Sequence, residues 1–355
     1  MSRDAIAGGG GEREPPRIVV VGGGIAGLTA AFRLSQRLPD ADIVLLEREA
    51  RLGGKIVTER RDGFVIEGGP EAMLVAKPQA QALCRDLELE DRLLEPNSAA
   101  RGSSVLRGGR LIPLPDGLSG VVPTKLRPIA ASPLIPPLGK LRMGFDFVLP
   151  RRREEADEAL SAFVERRLGR DAYRWLVEPL VGGIYAGDGA RLSLAATFPQ
   201  LRQMERDSGG LIRGALAARK AAPAPPPGPR PSPFRAPRDG LGELIESLAA
   251  RLQAAGVRVE TNATAEAIVA TPNGGFVVSR ASGETLRADA VVCAAPAPVA
   301  AGLLSELDPA LAKGLGAIPY ASVANVSLAY PLTALPRPLV GSGYLAPRAE
   351  RRPIN

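Results

Sequence analysis

The 355-residue chain contains no histidine. That absence removes Ser-His-Asp and Cys-His nucleophilic catalysis, histidine metal sites and a histidine general base together. Cysteine is almost as scarce: Cys84 and Cys293 are far apart and outside any C-x-x-C pattern, so neither a disulfide framework nor a thiol redox pair is expected, and a reduced, cytoplasmic setting fits. Aromatic residues make up 4% of the chain, and no recognised motif accompanies the net charge of +7, which argues against nucleic-acid binding. No apolar run approaches the roughly 20 residues that cross a bilayer. Any difficult chemistry must come from a bound group.

What is present is dominated by Val19-Val20-Val21-Gly22-Gly23-Gly24-Ile25-Ala26-Gly27-Leu28. The apolar run Ile18 to Val21 predicts a buried parallel strand, Gly22-x-Gly24-x-x-Gly27 the turn after it, and Ala26 to Leu38 a helix. Gly22 permits the tight turn, Gly24 lets backbone approach a pyrophosphate, and Gly27 lets the helix pack on the strand. The helix N-terminus then offers free N–H groups and a partial charge of about +0.5 to the phosphates. A second strand, Asp42 to Leu46, leads into Glu47, twenty residues beyond Gly27, where a carboxylate binds a ribose diol and repels a 2′-phosphate. This favours FAD or NAD over NADP.

Arg51-Leu52-Gly53-Gly54-Lys55 follows, and Glu67-Gly68-Gly69-Pro70-Glu71 closes a hairpin predicted from Lys55 to Ile66. The opening resembles that of the flavin-dependent amine oxidase superfamily. The resemblance implies FAD, with contacts from Gly22, Gly23, Gly24, Ile25, Ala26, Gly27, Glu47 and Arg48, and further ones from Gly54, Lys55, Gly69, Pro70, Glu71 and Ala72. It implies an α/β fold: a Rossmann-like FAD-binding domain with an inserted α+β substrate domain and a helical subdomain.

Glu178-Pro179-Leu180-Val181-Gly182-Gly183-Ile184-Tyr185-Ala186-Gly187-Asp188 is the second informative stretch, continued by Leu192-Ser193-Leu194, Phe198-Pro199 and Glu205 with Ser208 to Ile212. It resembles the protoporphyrinogen oxidase family, which oxidises porphyrinogens in haem synthesis and carries a near-identical segment in its substrate and membrane-binding region. The glycines by themselves predict a loop with two tight turns; the resemblance adds a backbone wall for a planar macrocycle at Gly182, Gly183, Ile184 and Tyr185. In some eukaryotic members of that family an Arg precedes the strand read here as Ser104 to Leu106. Ser103 stands at that place, and Arg101 is the nearest substitute as a clamp for substrate carboxylates.

In chain order, residues 1–16 are expected to be a disordered leader and 17–90 the first part of the FAD domain. Residues 91–236 would form the substrate and helical region, interrupted by a mobile Pro-rich loop at 221–237, and residues 237–300 would return to the FAD domain through an antiparallel meander. Val259, on a short strand there, is placed at the adenine end by the resemblance alone. Tyr320 to Tyr330 and Gly341 to Pro347 read as substrate-domain strands within 301–355. Relatives continue past Asn355 into further strands and a glycine-containing flavin support, so part of the FAD pocket is expected to be missing.

Leu111 to Pro150 is apolar, proline-broken and basic; it reads as a short-helix core in preference to a membrane-surface segment, while peripheral attachment of the protein is expected. The basic charge, with a pI near 9.8, is either a functional face or compositional bias in a chain rich in Arg, Ala, Pro and Gly. The implied reaction is hydride transfer from a porphyrinogen bridging carbon to the flavin, a pyrrole N–H losing its proton mostly without a protein base, and oxygen or another acceptor restoring the cofactor. An amine oxidase or carotenoid desaturase-like enzyme, and an inactive FAD-fold binding partner, are the competing readings. A homodimer is left open.

Overall fold

The computed structural model describes residues 14–97, 102–119, 122–221, 232–335 and 341–352, apart from the side chains at positions 119, 123, 184 and 332. The chain divides into two compact units. One comprises Met1–Glu95, Pro231–Tyr320 and Asn325–Leu328, the other Pro96–Arg230, Ala321–Ala324 and Ala329–Asn355.

The first unit is built on a four-stranded parallel sheet. Strand β1 (Arg17–Val21) lies between β2 (Asp42–Leu46) and the strand Ala290–Cys293, and Arg258–Glu260 pairs with the far side of β2. Val19 stands opposite Val44 and Val291, and Val259 opposite Leu45. Successive strand residues point to opposite faces, so the run Ile18 to Val21 is shared between two cores. Ile18 and Val20, with Ile43 and Leu45, join the cluster of Leu28 and Phe32 from helix α1 (Ile25–Arg37) and Leu244 and Leu248 from the helix Gly242–Ala254. Val19, Val21, Val44 and Leu46 join Ile268 and Val278 of the antiparallel meander. Burial on both faces explains why these strands read as continuous apolar runs.

The second unit is mainly helical. Phe163, Val164 and Leu168 from Leu160–Leu168, Leu176, Val177 and Val181 from the helical run after it, and Leu201, Leu211 and Ile212 form its core. A hairpin, Ser103–Arg107 with Arg110–Pro113, carries Gly343–Leu345 as a third, parallel strand. The core is not purely apolar. Arg167 and Asp146 are each 0% exposed, with Arg167 Nε donating to Asp146 Oδ1 at 2.7 Å. The same guanidinium donates to the carbonyls of Asp146, Leu149, Pro150 and Gly209, and Asp146 Oδ2 accepts from the Ile212 N–H at 2.8 Å. Glu205, also buried, accepts from Arg166 Nη1 at 2.7 Å and Arg167 Nη1 at 3.4 Å. Such pairing is the condition for keeping charge out of water.

The structure differs from the sequence-based expectation in several places. Tyr320 to Tyr330 is not a strand: it is irregular and exposed, because among the described residues no strand pairs with it, and an unpaired strand has no ladder for its N–H and C=O groups. Gly182 and Gly183 lie within the helix Glu178–Tyr185 rather than in a loop, and the chain reverses after it at Ala186, with φ of 47°. Burial of Val181 and partial burial of Leu180 against the core offset the glycine cost of about 1 kcal/mol each. The stretch before that helix is a single α-turn, Arg170–Ala172, followed by a π-helical segment, Tyr173–Val177. The Glu178 N–H reaches back to the Tyr173 carbonyl, and the wider register falls just before Pro179, which has no N–H to donate. Phe234–Pro237, assigned to the mobile loop, is a strand paired with Met73–Leu74 and Leu93–Leu94, because two short edges there supply its ladder. Residues 222–231 of that loop, and residues 1–13 of the expected leader, lie outside the described residues.

Candidate functional site

The Gly22 to Gly27 turn is closed by backbone packing that leaves no room for a side chain at Gly22 or Gly27. Gly22 has φ of 111°, and a Cβ added at Gly27 would sit 1.8 Å from the Gly22 carbonyl oxygen. The Gly23 carbonyl accepts from the Gly53 N–H at 2.8 Å, tying the turn to the second glycine pair. A Cβ on Gly54 would approach the Gly24 Cα to 3.2 Å, so two bare backbones face each other there. Helix α1 starts at Gly24 without a side-chain cap and without an acidic residue in its first turn. Its Ile25, Ala26 and Gly27 amides therefore form an N-terminus suited to an anion.

Glu47 follows β2 and is buried against this turn. Its Oε2 accepts from the Gly23 N–H at 2.6 Å and its Oε1 from the Glu49 N–H at 2.9 Å, which fixes the carboxylate at the edge of the glycine turn. Arg48 is exposed and pairs with Glu49 at 3.1 Å. Lys55 Nζ lies 5.3 Å from the ring centroid of Tyr320, whose hydroxyl accepts from the Ala297 N–H at 3.0 Å. No pattern in the sequence singled out Tyr320, since its partners are more than twenty residues away. A Cβ on Gly69 would lie 2.0 Å from the Lys55 carbonyl oxygen, while Pro70, Glu71 and Ala72 continue as an exposed loop. Val259 is half-buried and packs against the core of α1 and β2.

In the other unit, Gly182 and Tyr185 are one helical turn apart. A Cβ at Gly182 meets nothing within 4 Å, and Tyr185 is 41% exposed, packed edge-on against Phe198 at 5.6 Å between ring centroids. A Cβ on Gly183 would lie 3.3 Å from Leu345. The Ile184 side chain and Arg101 lie outside the described residues. Glu178 is half-buried; burial pushes its carboxyl up, and Asp188 adds to this while Arg348 opposes it. Neither cysteine is in a disulfide, and burial pushes the Cys84 thiol up to about 11, which keeps it protonated and unreactive. Among the described residues no group of three or more acidic or cysteine side chains is placed to hold a metal ion.

A bare-backbone glycine turn, an uncapped helix N-terminus and an acidic residue after the second strand define a dinucleotide-binding α/β protein. The chain belongs to the flavin containing amine oxidoreductase family, whose model matches residues 25–350. Within that family it is similar to coproporphyrinogen III oxidases. The enzyme of Propionibacterium freudenreichii subsp. freudenreichii is 37% identical, over 94% of this chain and 67% of its own length. The Bacillus subtilis (strain 168) enzyme is 36% identical, over 92% and 69% respectively. A solved structure of a candidate protoporphyrinogen oxidase from Exiguobacterium sp. 255-15 superposes with a TM-score of 0.71 at 32% identity, covering 82% of this chain and 62% of that one. The chain thus spans about two thirds of the length of these relatives. The family cofactor is a flavin, and the glycine turn, uncapped helix and Glu47 fit FAD.

Proposed function

We propose that this chain carries the FAD-binding and substrate-contacting parts of a porphyrinogen oxidase that converts coproporphyrinogen III to coproporphyrin III in haem synthesis. The observation that carries this reading is 37% identity to coproporphyrinogen III oxidase over 94% of the chain. An amine oxidase or desaturase reading rests on the glycine turn alone and accounts for nothing in Glu178 to Asp188.

The residues of the first unit divide the cofactor between them. The amides of Gly24, Ile25 and Ala26 would bind the pyrophosphate at the start of α1, with Gly22 and Gly27 giving the tight turn and close packing behind it. Gly23 and Glu47 form one element, since the carboxylate holds the Gly23 amide and presents its remaining lone pairs to a ribose diol. Arg48 would flank that end, and Val259 would lie toward the adenine side. Gly54 and Lys55 give close backbone and a cation, and Gly69, Pro70, Glu71 and Ala72 border the cofactor farther along. When bound, FAD supplies the hydride acceptor. The protein contributes no histidine, so its part is to orient a substrate and to exclude water. Gly182, Gly183 and Tyr185 offer a flat, partly aromatic face for a tetrapyrrole, and Arg101 is the proposed partner of a substrate carboxylate. Oxygen or another acceptor restores the flavin.

The test is the visible spectrum of the purified, FAD-supplemented chain before and after anaerobic coproporphyrinogen III. A flavin spectrum that bleaches supports the reading, with protoporphyrinogen IX bleaching it more slowly. A bound flavin that responds to putrescine and to neither porphyrinogen overturns it.

A peripheral membrane contact has its own support. Leu138, Leu141, Phe145 and Val148 recur at helical spacing over Pro137–Gly144 and the turn after it, and they are 80%, 64%, 49% and 73% exposed. Among the described residues no helix is long and apolar enough to cross a membrane. An apolar row that includes Lys140 in its sequence and is followed by Arg151 to Arg153 suits shallow binding to anionic lipid. Co-sedimentation with phosphatidylserine vesicles, lost in Leu138→Glu/Leu141→Glu, is the expected result; equal sedimentation of both proteins removes the proposal.

A further inference from the structure

One side chain outside both motifs holds the Glu178 to Asp188 segment at its two ends. Arg348 begins a single turn, Arg348–Glu350, just after the strand Gly343–Leu345. Its backbone N–H donates to Glu178 Oε2 at 3.3 Å, and its Nε lies 3.5 Å from Glu178 Oε1. Its Nη2 donates to the Gly187 carbonyl at 3.1 Å, and its Nη1 lies 3.4 Å from Asp188 Oδ2. The planar fork of a guanidinium can span such a set, whereas an ammonium cannot.

The chain between those ends is strained. Ala186 has φ of 47° and closes the helix by donating its N–H to the Gly182 carbonyl at 2.9 Å. A left-handed alanine costs about 1–2 kcal/mol and persists where its surroundings hold it. The two acids are themselves an unfavourable pair near a half-buried site, with the Tyr173 phenol beside them pushed up by burial and by their charge. Among the described residues Arg348 is the cation that pairs with both. The strap that carries it is fixed on either side of it: Leu345 packs at Gly183, and Glu350 Oε1 accepts from the Gly108 N–H at 2.8 Å.

We propose that Arg348 is a positioning residue for the tetrapyrrole: by clasping Glu178, Gly187 and Asp188 it holds the left-handed turn at Ala186 and so sets Tyr185 and the open Gly182 face. This inference rests on the porphyrinogen reading. It assigns a task to the Gly343 to Glu350 strap and explains why the segment begins and ends in an acid. Arg348 does not touch substrate; it acts through the helix end it restrains.

The test uses the full chain and three proteins: wild type, Arg348→Ala and Arg348→Lys. Binding of coproporphyrin III to flavin-free protein is read by porphyrin fluorescence, and coproporphyrinogen III oxidation by the FAD-loaded protein gives KM and kcat. The clasp requires Arg348→Ala to raise both the coproporphyrin Kd and KM about tenfold, with kcat within about twofold and FAD affinity unchanged. Arg348→Lys should recover part of the loss, since one ammonium reaches one end. Unchanged Kd and KM in Arg348→Ala overturn the proposal, as does loss of FAD binding together with porphyrin binding. If Arg348→Ala does not fold, Glu178→Gln decides, because it keeps the side-chain shape and weakens the grip: a raised Kd supports the clasp and a wild-type Kd overturns it. Failure of the porphyrinogen reading is distinguishable, for then the wild type itself neither binds coproporphyrin nor oxidises the porphyrinogen.

Discussion

The two units of this protein solve the problem of the interior in opposite ways. The nucleotide-binding unit puts a parallel sheet between two apolar layers and concentrates its polar work at one end, at the uncapped N-terminus of α1 after the glycine turn. The helical unit runs an ion-pair network from part-exposed Arg166 through Glu205 to Arg167 and Asp146 inside its core. In the first unit the ion pairs lie nearer the surface: Asp42 meets Arg17 and Arg258 at one end of the sheet, part-exposed and open to screening by salt, and buried Glu243 pairs with a half-exposed Arg92. The lesson is about where specificity comes from. The sheet gains it from register and from the exclusion of side chains at glycine, whereas short, proline-broken helices slide more easily and are pinned by groups that tolerate few arrangements.

The largest effect should come from breaking the buried network. Arg167→Ala leaves Asp146 uncompensated and should destabilise the helical unit by about 3–5 kcal/mol. The single tryptophan, Trp175, lies in that unit under the Arg107 guanidinium, so its fluorescence in urea reports this unit directly. If Arg167→Ala moves the Trp175 transition by less than 1 kcal/mol, as estimated for exposed pairs, the contrast between the units is broken.

Next is Gly27→Ala in the other unit. The added Cβ meets the Gly22 carbonyl, and relief requires moving α1 from the sheet, at about 1–3 kcal/mol by the usual cost of overpacking. FAD affinity, measured by flavin fluorescence, should fall far more than the Trp175 transition shifts. Equal loss in both readouts would mean that the units do not respond separately.

Acid provides a milder probe. Burial pushes the Glu205 carboxyl up, but hydrogen bonds and charge from Arg166, the Arg152 amide and Arg167 outweigh it and hold it below the usual carboxylate range. A depressed folded-state pKa adds stability that is complete above the unfolded value, about 4.3, and is lost as pH falls through the folded value. The Trp175 transition should therefore weaken below about pH 4, and Glu205→Gln should flatten that dependence. An unchanged acid slope in Glu205→Gln would remove Glu205 from the account.

The smallest effect sharpens the comparison most. Gly182→Ala meets open space and replaces a helical glycine, so it should stabilise the helical unit by up to about 1 kcal/mol. If that face receives the tetrapyrrole, the same variant raises KM for coproporphyrinogen III. A stabilised protein with unchanged KM would show that the face is free of substrate.

Much of the first unit was legible in the residues because its signals are local. The β1 run, the glycine spacing, the acid after β2, the hairpin at Thr58 to Glu67 and the meander from Ala265 each depend on near neighbours, on two-residue alternation or on positive φ. Tyr320 and Arg348 carried no such signal: each acts on residues brought near by folding, Lys55 and Ala297 in one case and the ends of Glu178 to Asp188 in the other. The same limit explains Tyr320 to Tyr330, whose composition suits a strand while a strand also needs a neighbour, and Gly182 and Gly183, whose loop preference yields to the burial of Val181 and partial burial of Leu180.

By itself, then, the sequence determined a dinucleotide turn, the order of the parallel strands' apolar runs, the absence of histidine chemistry and the presence of a porphyrinogen-oxidase-like segment. Only the tertiary structure decided that this segment is a helix closed by a left-handed alanine, that Arg167 and Asp146 are partners inside a core, and that Arg348 grips Glu178 and Asp188. The physical reason is range. Glycine conformation and strand periodicity act over a few residues, while burial and charge pairing are set by residues that only folding brings together.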